Sequence, residues 1–233
     1  MSANGFSVPV SFWGSISGLT VKNSEEGYHI ELATAQDSNG DTIAAENYGG
    51  TYAPKSTYVV TGEVNLANLA LGTVYTGEIG GINRKFMLTN VVIETGAGES
   101  PTVTLSGTEV ESSAVTQRTY RLCGTLTPRV RSQDVAGAFA NTSENMKSVK
   151  TEFDCNVAEA TVSGIPVASG VCNARVTVSA TFIDPDKTLE VRLGQGFLYS
   201  NDLNVVRNDA SYIEYQAEAV RYLNPDGEIN DGE

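Results

Sequence analysis

The chain has 233 residues, 28 Asp or Glu against 15 Lys or Arg, a formal net charge of −13 and a pI near 4.5. A surface of that sign repels nucleic acid rather than gripping it, because phosphate binding needs clustered Lys and Arg. Three cysteines (Cys123, Cys155, Cys172) and the single His29 are too few for a disulfide framework or a zinc set of about four ligands, which leaves free thiols, with Cys155 and Cys172 as candidate neighbours in a sheet. Charged residues make up 18% of the chain, below the ~25% of ordinary globular proteins. Ser, Thr, Asn and Gly fill the difference, a composition suited to half-exposed sheets. At this length roughly 70% of the open-chain surface is buried on folding, enough for one large β domain or two smaller ones.

Phe6–Trp13 alternates weakly and contains Pro9, which reads as an edge strand or an extended arm. The first fifteen residues lack the basic start and apolar core of a signal peptide, and no apolar run approaches the ~20 residues of a membrane span. The expectation is a chain made and folded in the cytosol. Tyr28–Thr34 reads as a strand, and Asn39-Gly40 after it is the strongest short hairpin signal in the chain. Asp37–Asp41 also invites a calcium reading, but its Gly is fourth where the EF-hand loop needs it sixth, so a turn is favoured. Glu46–Lys55 reads as a Gly/Tyr/Pro loop and Thr57–Val64 as a strand. Asn65–Leu71 reads as a short helix or turn, and Thr73–Glu78, Lys85–Thr95, Thr102–Val110 and Arg118–Leu126 as strands.

Ser132–Ser148 is polar and aperiodic, an excursion with at most a helical turn near Val135–Ala140. It divides a first β half, residues 1–128, from a second, 149–223, with 129–148 as the long loop, and the two halves are expected to pack as one domain. In the second half Cys155–Ser163 and Val171–Ile183 form a ribbon joined through Gly164–Gly170. Val176, Val178, Ala180 and Phe182 fall on one face of the second strand and Arg175, Thr177, Ser179 and Thr181 on the other, the period of a strand with one buried side. Asp184–Lys187 reads as a turn, and Thr188–Leu193 and Gly196–Ser200 as short strands. Tyr212–Leu223 closes the fold, with Ile213, Tyr215, Ala217 and Ala219 inward. Residues 224–233 form an acidic, frayed tail. The fold class is therefore all-β, an antiparallel β-sandwich or barrel with one long mid-chain loop and at most short helices.

The chemistry is sparse. No GxSxG, P-loop, GxGxxG or HExxH occurs, and His29, the only candidate base for a Ser-His-Asp set, alternates within a strand. Glu214 and Glu218 share a strand face but stand about 13 Å apart, too far for either glycosidase geometry. Glu109/Glu111 and Asp184/Asp186 look like strand-end and turn residues. Tyr48, Tyr52 and Tyr58 are the best candidates for stacking a sugar. No catalytic residue, metal ligand or cofactor emerges, and the reading is of a non-enzymatic chain.

The stretch TNVVIETGAGESPTVTLSGTEV, from Thr89 to Val110, resembles virion proteins of tailed bacteriophages, in particular the all-β tail tube class. Asn156–Ile183 and the closing YIEYQAEAVRYL are similar in strand and turn pattern, and together these cover about a third of the chain. The resemblance implies a β-sandwich or barrel that assembles into hexameric rings. The rings stack into a tube with an acidic lumen, made in the host cytoplasm and placed in the virion with other virion proteins. DNA passes without specific binding, and no membrane is involved. It implies subunit contacts through the N-terminal arm and the mid-chain loop, with Phe6, Val8, Phe12, Trp13, Val135, Phe139 and Met146 as contact residues. Glu214 and Glu218 are the candidates for the acidic lumen face. Capsid decoration, another tail or neck role, and a glycan- or cell-surface-binding β-sandwich are the alternative readings.

Overall fold

The computed structural model describes residues 12–36, 38–39, 41–79, 82–110, 118–129, 131–140, 145–163, 165–184, 189–201, 204–207 and 212–225, with side chains at all but 29–33, 46–51, 78–79, 165–166 and 206–207. The chain is all-β and antiparallel. Its principal sheet is built from eight longer or linking strands: β1 (Leu19–Gln36), β2 (Thr42–Val60), β5 (Val74–Ile79), β6 (Ile82–Gly96), β7 (Thr102–Glu109), β10 (Met146–Val162), β11 (Ile165–Asp184) and β14 (Ile213–Tyr222). Two short strands, β12 (Leu198–Tyr199) and β13 (Asn204–Arg207), both pair with β14. The order is β1-β2-β7-β6-β10-β11-β14-β12, with β5 on the first half of β6. Two small sheets lie over it, β3 (Val64–Asn65) with β9 (Thr125–Leu126) and β4 (Ala70–Leu71) with β8 (Tyr120–Arg121).

The expected alternation is what faces the core. Val176, Val178, Ala180 and Phe182 of β11 are buried, as are Val103 and Leu105 of β7 and Ala217 and Ala219 of β14. They pack in one cluster with Leu66, Leu71, Tyr120, Leu122 and Leu126 of the small sheets. Two layers therefore enclose the core, and each of its larger apolar side chains contributes about 1.5–3 kcal/mol by leaving water. The large sheet is open, running from β1 at one end to β12 and β13 at the other, so the arrangement is a layered one and not a closed barrel. Asn90–Gly96 of β6 pair with Ser148–Asp154 of β10, which joins the two β halves in one sheet.

Two hairpins outrun the sheet. β2 pairs with β7 only from Lys55 to Val59, while its pairing with β1 continues to the turn near Asn39. β10 leaves β6 at Asp154 and β11 leaves β14 at Arg175, yet the two stay paired to Val162 and Ile165. A bulge between Asp154 and Asn156, with Asn173 at φ 53°, marks the point of departure.

Several local expectations are corrected. Glu46–Lys55 is strand: its Gly-Gly pair and Pro54 disfavour a strand locally, but β1 supplies a continuous ladder, and Pro54 stands just before the stretch that pairs β7. The ribbon expected to turn through Gly164–Gly170 turns at once after Ser163, which takes φ 54°. Arg118–Leu126 breaks into β8 and β9 at Gly124. There φ is +100°, and a Cβ would stand 1.9 Å from the Val135 carbonyl oxygen. Thr57–Val64 ends early, at Val60. No strand covers the described part of Thr188–Leu193, where Leu193 makes a single bridge to Phe139. The Val135–Ala140 stretch is a turn and not a helix, and the described part of the 132–148 excursion packs down, with Ser132, Ala138, Phe139 and Met146 buried. Asn65–Leu71 does hold a short 3-10 helix, Leu66–Asn68, capped by the Asn65 side chain accepting from the Ala67 amide at 3.0 Å.

Candidate functional site on the concave polar face

The residues that alternate with the core side chains meet on the opposite face of the large sheet. Lys22 of β1, Thr57 of β2, Thr104 of β7, Glu94 of β6, Lys150 of β10, Ser179 of β11 and Glu218 of β14 all line one cleft of about 900 Å³. A cleft touched by seven strands means that the sheet curls around its polar face, the coiling expected of a wide twisted sheet.

Part of the charge on this face is paired within the chain. Arg175 donates from Nε and Nη2 to both oxygens of Asp154, at 2.9 and 3.0 Å. Lys150 Nζ lies 2.8 Å from Glu152, whose other oxygen accepts from Asn90 at 2.9 Å. Burial pushes the Glu152 carboxyl up, but the hydrogen bonds from Lys150 and Asn90 outweigh it and hold it below the ordinary range. The same contact holds the Lys150 ammonium above its ordinary value, and the hydrogen bond to Asp154 does so for the Arg175 guanidinium.

The two expected lumen carboxylates lie on β14, four residues apart. Glu218 borders the cleft and accepts from Ser179 Oγ at 3.0 Å, Asn201 Nδ2 at 2.8 Å and Ser200 Oγ. Glu214 is 3.4 Å from Lys147 and mostly covered. Glu214 is thus tied to a lysine, and Glu218 to neutral donors. The Lys150–Glu152 and Asp154–Arg175 pairs were missed at the level of sequence, since cross-strand register brings Asp154 opposite Arg175. Their one local trace is the strand-face spacing of 150, 152 and 154.

The residues expected to contact neighbouring subunits divide. Trp13 is 3% exposed and lies over Gly107, where a Cβ would come within 2.5 Å of its ring and 2.3 Å of the Met87 carbonyl. Trp13, Phe139 and Met146 are core residues of their own chain: the flat hole at Gly107 receives the indole, and Phe139 meets Phe182 edge-on at 5.2 Å. Phe12 and Val135 are half-buried against the same core. Phe6 and Val8 lie outside the described residues, as do Asp37, Gly40, Glu111, Asp186 and the end of the tail, and the side chains of His29 and Tyr48 are likewise not described.

A second polar cluster sits where the β1–β2 ribbon leaves the sheet. Glu109, at the end of β7 and 8% exposed, accepts from the Tyr52 amide at 3.2 Å and from Arg84 Nη1 at 2.6 Å. The Arg84 guanidinium lies 4.3 Å above the Tyr52 ring, and the Tyr28 ring packs against the same side chain, tilted, at 4.7 Å. Glu109 thus extends by a side chain the pairing that β7 gives β2 through its backbone. The three thiols are free; Cys155 donates to the Thr89 carbonyl at 3.4 Å, and burial, then Asp154 and Cys172, push it up to about 12.

No protein-family model matches the chain, and no curated protein matches it.

Proposed function

We propose that this protein is a non-enzymatic structural subunit of a tailed-bacteriophage particle, of the tail tube class, that assembles with copies of itself into stacked rings. The observation that carries the reading is the curled ten-stranded sheet, open at both ends, with its polar face turned inward across seven strands. Open edges are liabilities in a lone chain. Joined head to tail around a ring, they satisfy each other's backbone groups, and a closing rotation prevents runaway fibres. The β1 edge carries Lys22, Glu25 and Glu26, while the far edge exposes Leu198, Tyr199 and Val205.

In such a ring the concave faces line the channel. Lys150 and Arg175 sit beside carboxylates there, so at those positions a passing phosphate backbone meets hydroxyls and paired charges rather than free cations. With a net charge of −13 behind the wall, DNA slides without deep binding wells.

Negative-stain microscopy with light scattering on the purified full chain tests this. Rings or tubes with a central channel are expected. A monodisperse monomer or trimer at high concentration overturns the tube reading and directs attention to capsid decoration, assayed by binding to shells. The glycan-binding reading is favoured by one observation, the exposed Tyr28 packed against Tyr52 beside Arg84. It requires retention on a sugar array that Tyr28→Ala and Tyr52→Ala abolish.

A further inference from the structure

The net charge is unevenly placed. Residues 23–54, most of the β1–β2 ribbon, contain Glu25, Glu26, Glu31, Asp37, Asp41 and Glu46 and not one Lys or Arg. Residues 118–131, in the second layer, contain Arg118, Arg121, Arg129 and Arg131 and no Asp or Glu. All four arginines are exposed, while Tyr120, Leu122 and Leu126 between them point into the core. Among the described residues none of the four takes part in an ion pair. Arg129 and Arg131 border a groove of about 470 Å³ whose wall also includes Val135, Phe139 and Met146. Among the described residues lining that groove the carboxylate is Asp134, which is turned to the backbone: the Phe139 amide donates to it at 2.8 Å.

We infer that the groove beside Arg129 and Arg131 receives the acidic β1–β2 ribbon of a second copy of this chain. The inference rests on the self-assembling reading above and names its joint. The ribbon offers what the groove lacks: carboxylates for the arginines, and the 67%-exposed Ile43 beside its turn for the apolar wall. Among the described residues, none of the groove's lining comes from the ribbon of the same chain. From Glu26 to Gln36 the ribbon spans about 33 Å, long enough to cross onto a neighbour. Nucleic acid fits less well, since a phosphate backbone has no use for the apolar wall and a chain of net charge −13 repels it at long range.

The test is sedimentation velocity of the full chain, with circular dichroism to confirm the fold. Two charge reversals are compared with wild type, Arg129→Glu/Arg131→Glu and Glu26→Lys/Asp41→Lys. Each alone should weaken self-association by about tenfold or more, as should raising the salt. Mixing the two variants should restore association, because each then meets the opposite charge. Association that ignores both reversals, or a wild type that never associates, overturns the inference. So does retention of short duplex DNA that the arginine reversal abolishes while self-association is unchanged. Charge-dependent oligomers that never form rings or tubes keep this joint and overturn the tube reading. Tubes indifferent to the reversals do the opposite.

Discussion

The β1–β2 and β10–β11 hairpins share a plan and differ in finish. Each is paired into the large sheet at its root and continues as two strands alone. A two-stranded ribbon is marginal in water, so each depends on its root. The β10–β11 root sets the buried Phe153, near the end of the β6 pairing, on its core face and the Asp154–Arg175 pair at the point where the ribbon departs. Beyond it, residues 155–174 contain one charged side chain, Glu159, and Val162 and Val167 are exposed. The β1–β2 root ends in the polar Arg84–Glu109–Tyr52 cluster, and the ribbon beyond carries four carboxylates, Glu31, Asp37, Asp41 and Glu46. The contrast teaches that one topology yields two kinds of arm. One is kept soluble by repulsion and suited to a basic partner. The other is nearly neutral and suited to burial.

If the roots differ as described, they break differently. Phe153→Ala empties a fully buried ring site and should cost about 3–5 kcal/mol, read as a lower denaturation midpoint at unchanged slope. A loss below about 1 kcal/mol would remove the Phe153 root from the comparison. Glu109→Ala leaves Arg84 without its counter-charge at a partly open site and should lower stability by less than the Phe153 change. Its distinguishing readout is hydrogen exchange: the Tyr52 amide should lose protection while the β10 amides keep theirs. Equal change in both ribbons would mean that Glu109 serves the whole sheet rather than one arm.

Smaller effects sharpen the contrast at the β10–β11 bulge and tip. Cys155 is a thiol whose folded value stands above the ordinary 9.0, at about 12. From pH 9 upward the unfolded chain loses this proton while the folded chain keeps it, so stability falls through that window, and Cys155→Ala should flatten the fall. In the folded protein at pH 8, Cys155 should alkylate far more slowly than after denaturation, measured by mass spectrometry. Glu152 has the opposite sign. It is held below its ordinary value, so its contribution is present above that value and lost as the pH drops through it; Glu152→Gln should shallow the acid limb of a pH–stability curve. The smallest change is Ser163→Gly at the turn, where φ is 54°; it should stabilise by about 0.5–1 kcal/mol in urea unfolding.

What the amino-acid order settled by itself is whatever a strand expresses locally. The alternation in Val171–Ile183 and Tyr212–Leu223 is legible because side-chain direction repeats every two residues, and those two segments do pair as β11 with β14. The Asn39 turn and the short helix within Asn65–Leu71 are legible too, since each depends on its own neighbours. Partner and register are not local. Gly49, Gly50 and Pro54 spell a loop until β1 is laid beside them. Trp13 reads as part of an exposed arm until Gly107 opens a place for it. The partners of Glu214 and Glu218, Lys147 and the Ser200–Asn201 turn, are equally invisible along β14. Asn90 reaches Glu152 across 62 positions of sequence. Only the folded sheet decides such contacts, because they depend on which strands become neighbours and not on what any one strand prefers.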